Sequence, residues 1–344
     1  MMKVKSRMVN VEISTRYQSI QLLRAVAALI VVVFHSKSAF GPEDRLTLWW
    51  WPGISDHGAM GVSLFFVISG FIIAHTLDQN NRNSNKNHKI NVANFVWRRI
   101  FRIYPLYIIV MSAGLATFAW RGWFKGDIEA LGLSGMIASF LIVPMKPFPF
   151  WNPGWTIEHE LLFYLIAALV TPLFGLYFLA LLMVSLGIIG FWVTFWDFHL
   201  FTDAQFYFGA GIVAYLTRHT NLPVAAMIAM LLLSVAYAHL YGFFGFPYQF
   251  RSLAFAFGFA ALIVACMQLE ARGWRVPRLA VAIGDASYSL YLWHWLMIPF
   301  TGLAHWTYGG APEFWRWILV TSSVLVALIS YRIIERPINN WARK

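Results

Sequence analysis

Residues Leu22 to His35 read LLRAVAALIVVVFH, placing two ionisable side chains inside an apolar run long enough to enter a bilayer. Arg24 and His35 stand eleven residues apart. At 3.6 residues per turn that separation is close to three whole turns, so both lie on one stripe of a helix, about 16 Å apart along its axis. Ionisable groups on one stripe of a membrane helix usually face a bundle interior or a wet cavity. The competing reading is that each side chain snorkels to the interface nearer to it.

The rest of the composition gives this helix a membrane setting. Of the 344 residues 59% are hydrophobic and only 12% charged, and the mean hydropathy is +0.61. An ordinary soluble domain would carry about a quarter charged residues, so a soluble enzyme of this length is excluded. Many apolar runs of about 20 residues, without short alternating segments, select a helical bundle over a barrel. The 17 Trp and 14 Tyr suit interfacial belts or a substrate cavity. A net charge of +11 reads as a topology signal rather than as a nucleic-acid surface, because the basic residues gather beside the apolar spans. A lone Cys266 rules out an intramolecular disulfide or a cysteine metal cluster.

Apolar runs fall at 19–39, 58–77, 104–121, 155–173, 174–195, 203–217, 223–241, 252–269, 286–304 and 314–334, with a shorter one at 133–144. Ten spans with both termini in the cytoplasm place most basic residues inside: Lys3, Lys5, Arg7 and Arg16, then Arg82, Lys86, Lys89, Arg98, Arg99 and Arg102, then Arg218, Arg272, Arg275 and Arg278, and finally Arg336, Arg343 and Lys344. Arg45, Lys125 and Arg251 remain outside. Counting 133–144 as a span would put the Arg272 to Arg278 cluster outside, so 122–154 is read as an outer segment holding a re-entrant or interfacial helix. The expected architecture is all-α: a polytopic transmembrane helical bundle of about ten spans, with a cytoplasmic tail over 1–18, one membrane domain over 19–337 and a second tail over 338–344.

Four stretches could carry chemistry. GVSLFFVISGF, Gly61 to Phe71, offers small residues for close packing; Ser69 lacks a nucleophile elbow and an adjacent base in sequence, and is not nominated as a nucleophile. WRRIFRIYPLY, Trp97 to Tyr107, sets Arg99 and Arg102 on one face with Arg98 beside them, either as orientation signals or as a phosphate grip. WNPGWTIEHELLFY, Trp151 to Tyr164, brings Glu158, His159 and Glu160 to the start of a span, where a carboxylate could meet His35 and fix its tautomer. No His-Glu-x-x-His spacing occurs, so no metal is expected. ASYSLYLWHWLMIP, Ala286 to Pro299, surrounds His294 with aromatic residues, and Glu335-Arg336-Pro337 reads as an interfacial stop to the last span.

Together and in order, the first helix and the last three of these stretches resemble the acyltransferase-3 family of integral-membrane acyltransferases that modify bacterial surface sugars. The matching residues are Arg24-x10-His35, Arg99-x-x-Arg102, the Trp-Thr-Ile-x-x-Glu-x-x-Phe-Tyr block from Trp155 to Tyr164, and Ser-Tyr-Ser-Leu-Tyr-Leu-Trp-His ending at His294. The likeness runs from Ile20 to Pro337 and is nearest to the short members acting on exopolysaccharides. It implies acyl-CoA, usually acetyl-CoA, as donor and a carbohydrate hydroxyl as acceptor. It also implies His35 as catalytic base or acyl relay, Arg24 as its partner, Arg99 and Arg102 (with Arg98) on the CoA side, and Glu160 as the supporting carboxylate. His294, Trp155 and Tyr288 would line the site. Where relatives often carry a second acidic residue this chain has Leu161, with Glu158 and His159 before the matched Glu160, so the carboxylate that serves His35 stays open. The setting implied is a bacterial inner membrane, with lipids as surroundings, no nucleic-acid partner, and homo-oligomerisation left open. Two other classes compete: a sugar or lipid transporter with Arg24, His35 and Glu160 along its path, and a scaffold whose polar spans only pack.

Overall fold

The structure, a computed structural model, describes residues 17–40, 57–83, 92–123, 125–144, 149–193 and 199–343, and every regular element among them is helical. The expected tail up to Arg16, together with Arg45, Lys86, Lys89 and Lys344, lies outside the described residues. In chain order the helices are α1 Gln18–His35, α2 Lys37–Phe40, α3 Met60–Asn83, α4 Val92–Arg121, α5 Lys125–Leu141, α6 Gly154–Ile189 and α7 Asp203–Leu216. They continue with α8 Leu222–Leu240, α9 Tyr248–Ala271, α10 Arg278–Asp285, α11 Ser287–Tyr308 and α12 Pro312–Ser330. A π-helical turn over Tyr331–Glu335 and α13 Arg336–Trp341 follow.

Seven of these helices are long and apolar enough to cross a membrane: α1 run on into α2, then α3, α4, α6, α8, α9, and α12 continued to Trp341. The other three expected runs differ for identifiable reasons. Run 174–195 is, as far as Ile189, the second limb of α6, which turns at Gly175 (φ 79°, ψ 178°) three residues after Pro172, and its last two residues lie outside the described ones. Run 203–217 is α7, whose 14 residues rise only about 21 Å against a hydrocarbon core of about 30 Å. Run 286–304 is α11, 22 residues long but loaded with Trp, Tyr and His. The short run at 133–144 falls in α5, which breaks at Gly132 and has an apolar part, Ile128–Leu141, too short to span.

Burial divides the bundle into an inner group and a lipid-facing ring. The spans of α1 and α9 are the most enclosed, whereas α8 and α12 are largely exposed. Exposed Leu169, Leu173, Phe174 and Leu181 on α6 carry no polar group, as a surface meeting acyl chains requires. At the start of α1, the Gln18 and Ser19 amides each donate to the Glu270 carboxylate at 2.9 Å, and Ser19 Oγ adds a third bond at 2.6 Å. A carboxylate there satisfies orphan N–H groups and matches the helix dipole, tying α1 to the end of α9. At the other end, buried Arg316 donates from Nε to Ser36 Oγ at 2.9 Å and stacks over Phe40. The helix carrying Arg24 and His35 is therefore clamped at both ends.

Helices α3 and α7 cross with their backbones in contact. A Cβ on Gly70 would stand 2.1 Å from the Phe208 carbonyl oxygen, and one on Gly211 would stand 2.0 Å from the Val67 carbonyl oxygen. Small residues permit this approach, as expected for Gly70 from sequence. Gly70→Ala or Gly211→Ala is therefore expected to cost about 1–3 kcal/mol by overpacking. Gly126→Ala, where a Cβ would meet nothing within 4 Å, should be neutral. Thermal unfolding of the three variants in detergent checks this.

Candidate active site

Two cavities penetrate the bundle and share Arg24, Ile72 and Arg102 in their walls. The larger, about 630 Å³, is polar: Arg336, Asn339, Asn340 and Arg343 from α13 and its end face Tyr17, Gln21, His75 and Gln79. The smaller, about 70 Å³, continues inward between Ser69, Thr156, Glu160, Ser287, Tyr288 and Tyr291, among apolar side chains from α3. Arg24 and Arg102 stand at the junction.

Around that junction the spans assemble a charge cluster. Glu160, on the first limb of α6, accepts a 2.9 Å hydrogen bond at Oε1 from Ser69 Oγ and another from the hydroxyl of Tyr164, one turn onward. Arg99 and Arg102, one turn apart on α4, both lie within electrostatic reach of Glu160. Arg99 stacks over Phe95 at 5.4 Å and Tyr164 at 5.5 Å. Arg24 donates from Nη1 to Gln21 Oε1 at 3.1 Å. Glu335 faces Arg102 and Arg24, and accepts from Ser289 Oγ at 2.8 Å. The sequence reading of Glu335 as an interfacial stop is thus corrected: the residue is buried. The π turn that ends at Glu335 belongs with Pro337, which has no N–H to continue an α-helical ladder, and it sets the carboxylate within the bundle.

His35 lies apart from this cluster, in neither cavity wall. Its Nδ1 is 2.9 Å from His294 Nε2, with the two rings 11° from parallel and Trp295 edge-on to His35. His294 Nδ1 in turn lies 3.3 Å from the Leu290 carbonyl oxygen. A carbonyl only accepts, so His294 carries its proton on Nδ1 and offers a lone pair at Nε2. His35 must then donate from Nδ1, which leaves the lone pair of its Nε2 to take a proton. The residue that fixes the His35 tautomer is a second histidine 259 positions away, while the carboxylates expected in that role sit elsewhere. Glu160 holds Ser69 and Tyr164; Glu158 holds His199 at 2.7 Å, whose ring stacks on His159 at 4.3 Å.

The remaining sequence candidates separate into two groups. Tyr288 lines the inner cavity and donates its hydroxyl to the Ile103 carbonyl at 2.8 Å. Trp155 lines neither cavity and packs edge-on to His159. Arg98 is exposed and bonds Asn94 at 3.1 Å, one helical step away from the buried face that Arg99 and Arg102 occupy. From sequence Ser69 is declined as a nucleophile, Glu335 reads as an interfacial stop and Tyr291 has no role, yet Ser69 and Tyr291 line the inner cavity and Glu335 lines the polar one. Tyr291 stands 2.9 Å from Thr156 Oγ1 and packs on His294 at 5.8 Å, so it lies between the inner cavity and the histidine pair.

Residues 17–333 match the acyltransferase domain that defines the acyltransferase-3 family. The chain is 32% identical over 297 residues to the exopolysaccharide production protein ExoZ of Rhizobium meliloti, an alignment covering 82% of this chain and 89% of that relative. It is 25% identical over 373 residues to the O-acetyltransferase OatA of Staphylococcus aureus, covering 92% of this chain and 56% of that relative. No solved structure gives a significant match.

Removing Glu335 takes the hydrogen-bond acceptor from buried Ser289 and a carboxylate from the reach of Arg102 and Arg24. Glu335→Ala is expected to lose about 1–3 kcal/mol of stability. Arg98→Ala, on the exposed face, should stay within about 0.5 kcal/mol of wild type. Parallel thermal melts in detergent distinguish the two.

Proposed function

Because the chain belongs to the acyltransferase-3 family and is a multi-pass membrane O-acyltransferase, we propose that it transfers an acyl group, acetyl first among them, from acyl-CoA to a hydroxyl of an exported or cell-envelope polysaccharide or its lipid-linked precursor. The observation that carries this reading is the pair of joined cavities. CoA is an anionic nucleotide head on a long thin arm. The polar cavity, walled by Arg24, Arg102, Arg336 and Arg343 with Tyr17 and His75 beside them, suits the head. The narrow inner cavity suits the arm and brings the thioester past Arg24 and Arg102 toward Tyr291. In this reading the arginine-lined mouth faces the cytoplasm of an inner membrane, where acyl-CoA is made.

The histidine pair supplies the other half of the reaction. With its Nε2 lone pair available, His35 takes the proton of the attacking sugar hydroxyl. The imidazolium so formed keeps its Nδ1–H on His294 Nε2, which shares the new charge. Arg24 and Arg102, both in the wall of the inner cavity, are the cations that would offset negative charge on a departing thiolate. The transporter alternative gives way to the family assignment, and His35 stands outside both cavity walls.

His35→Ala and His294→Ala, expressed at wild-type level in the host, are both expected to reduce O-acyl content of the surface polysaccharide. Loss of the base should cost about 10²–10⁴-fold in turnover. NMR of the polysaccharide, alongside release of free CoA thiol by the purified protein, checks acceptor and donor separately. Retention of full O-acylation in His35→Ala would remove that histidine from the chemistry.

A further inference from the structure

We propose that Ser69 is a nucleophile that receives the acyl group from the donor thioester before the acceptor hydroxyl does. This rests on the reading of an acyl thioester as donor. In a membrane span, a serine hydroxyl ordinarily bonds back to a carbonyl of its own helix, as Thr76 does to Ile72 at 2.8 Å. Ser69 instead donates across to Glu160 Oε1, on another helix, at 2.9 Å. A hydroxyl hydrogen-bonded to a carboxylate is the arrangement that activates a weak oxygen nucleophile.

Position supports the same role. Ser69 and Glu160 both line the inner cavity, and Arg24 and Arg102 lie in the same wall. Gly70, the next residue, is pressed against the Phe208 carbonyl, so the backbone that carries Ser69 has little room to shift. Ser287, fully buried and also in that wall, has a hydroxyl with no hydrogen-bond partner among the described residues. It is the donor available to a thioester oxygen as that atom takes on negative charge.

The steps balance without any further reactant. Ser69 Oγ forms a bond to the thioester carbonyl carbon while its proton passes to Glu160. Collapse of the tetrahedral intermediate breaks the carbon–sulfur bond, and the CoA thiolate leaves, taking that proton as the free thiol. The sugar hydroxyl then attacks the acyl-serine, giving its proton to His35 Nε2; Ser69 departs as an alkoxide and is reprotonated from His35. The intermediate lets CoA withdraw before the acceptor is engaged. Ser69 itself stays in the inner cavity, with Tyr291 and His294 between that cavity and His35, so the second step needs those rings to admit the acceptor hydroxyl to both Ser69 and His35.

The test uses the purified full-length chain in detergent with radiolabelled acetyl-CoA and no acceptor, quenched in acid, digested and sequenced by mass spectrometry. Wild type, Ser69→Ala, Ser69→Cys and His35→Ala are compared, each first shown to be monodisperse with a wild-type melting temperature. The expected result is an acetyl ester on Ser69, resistant to neutral hydroxylamine, that accumulates in His35→Ala and is absent from Ser69→Ala. In Ser69→Cys it becomes a hydroxylamine-labile thioester. Polysaccharide O-acylation by Ser69→Ala should fall by at least about 10²-fold. Acylation by Ser69→Ala at the wild-type rate, or label on His35 with none on Ser69, overturns the proposal and leaves the donor reading intact. Wild type that acylates polysaccharide in cells yet never consumes acetyl-CoA overturns the donor reading, and the Ser69 step falls with it.

Discussion

Three guanidiniums inside an apolar bundle set the constraint on which the rest of this architecture depends. Arg24, Arg99 and Arg102 come from two different spans, and each would be costly there without a partner. The fold answers with carboxylates from two more, Glu160 on α6 and Glu335 at the end of the α12 span, and with Gln21, Tyr164 and Thr76 as further polar contacts. Four separated pieces of chain must therefore be in register before the charge cluster is satisfied. The polar cavity lies directly against this cluster, with Arg24, Arg102 and Glu335 in its wall.

Local breaks in helix geometry serve that register. Pro105 interrupts the α4 ladder just beyond Arg102, the π turn at Tyr331–Glu335 sets Glu335 in the bundle, and Gly175 turns α6 beyond the limb that carries Glu160. By contrast α1, the helix that carries Arg24 and His35, is unbroken and clamped at both ends by Glu270 and Arg316. The irregularities are placed on the partners and the straight helix spans the distance between the two polar centres.

This division explains what could be read from the chain and what could not. Arg24 and His35 on one stripe, Arg99 and Arg102 on one face and the apolar runs all follow from periodicity, which is local. Periodicity separates Arg99 and Arg102 from Arg98 but does not say which face is turned inward; the α4 packing turns Arg99 in and leaves Arg98 out. The pairing of His35 with His294 has no local signal, because 259 residues separate them. A carboxylate was the reasonable expectation for a histidine partner, yet the nearby acids are drawn to arginines, to Ser69 and to His199. Glu335 was misread because an acid beside Arg336 and Pro337 at a helix end usually marks an interface; only the π turn shows it buried.

A neutral partner for His35 has a chemical consequence that a carboxylate would not have. A carboxylate on Nδ1 holds an imidazolium as a tight ion pair and favours keeping the proton. His294 Nε2, itself neutral and anchored through Nδ1 to a main-chain carbonyl, fixes the same tautomer without a fixed negative charge. In the proposed role as base, a proton taken by His35 is therefore more easily given back. That suits an active centre that must accept a proton from one oxygen and return it to another within a turnover. It also keeps a carboxylate off the histidine pair itself, although charges stand on that side of the helix: Lys37 over the Phe34 ring, and Arg316 bonded to Ser36 and paired with Glu313.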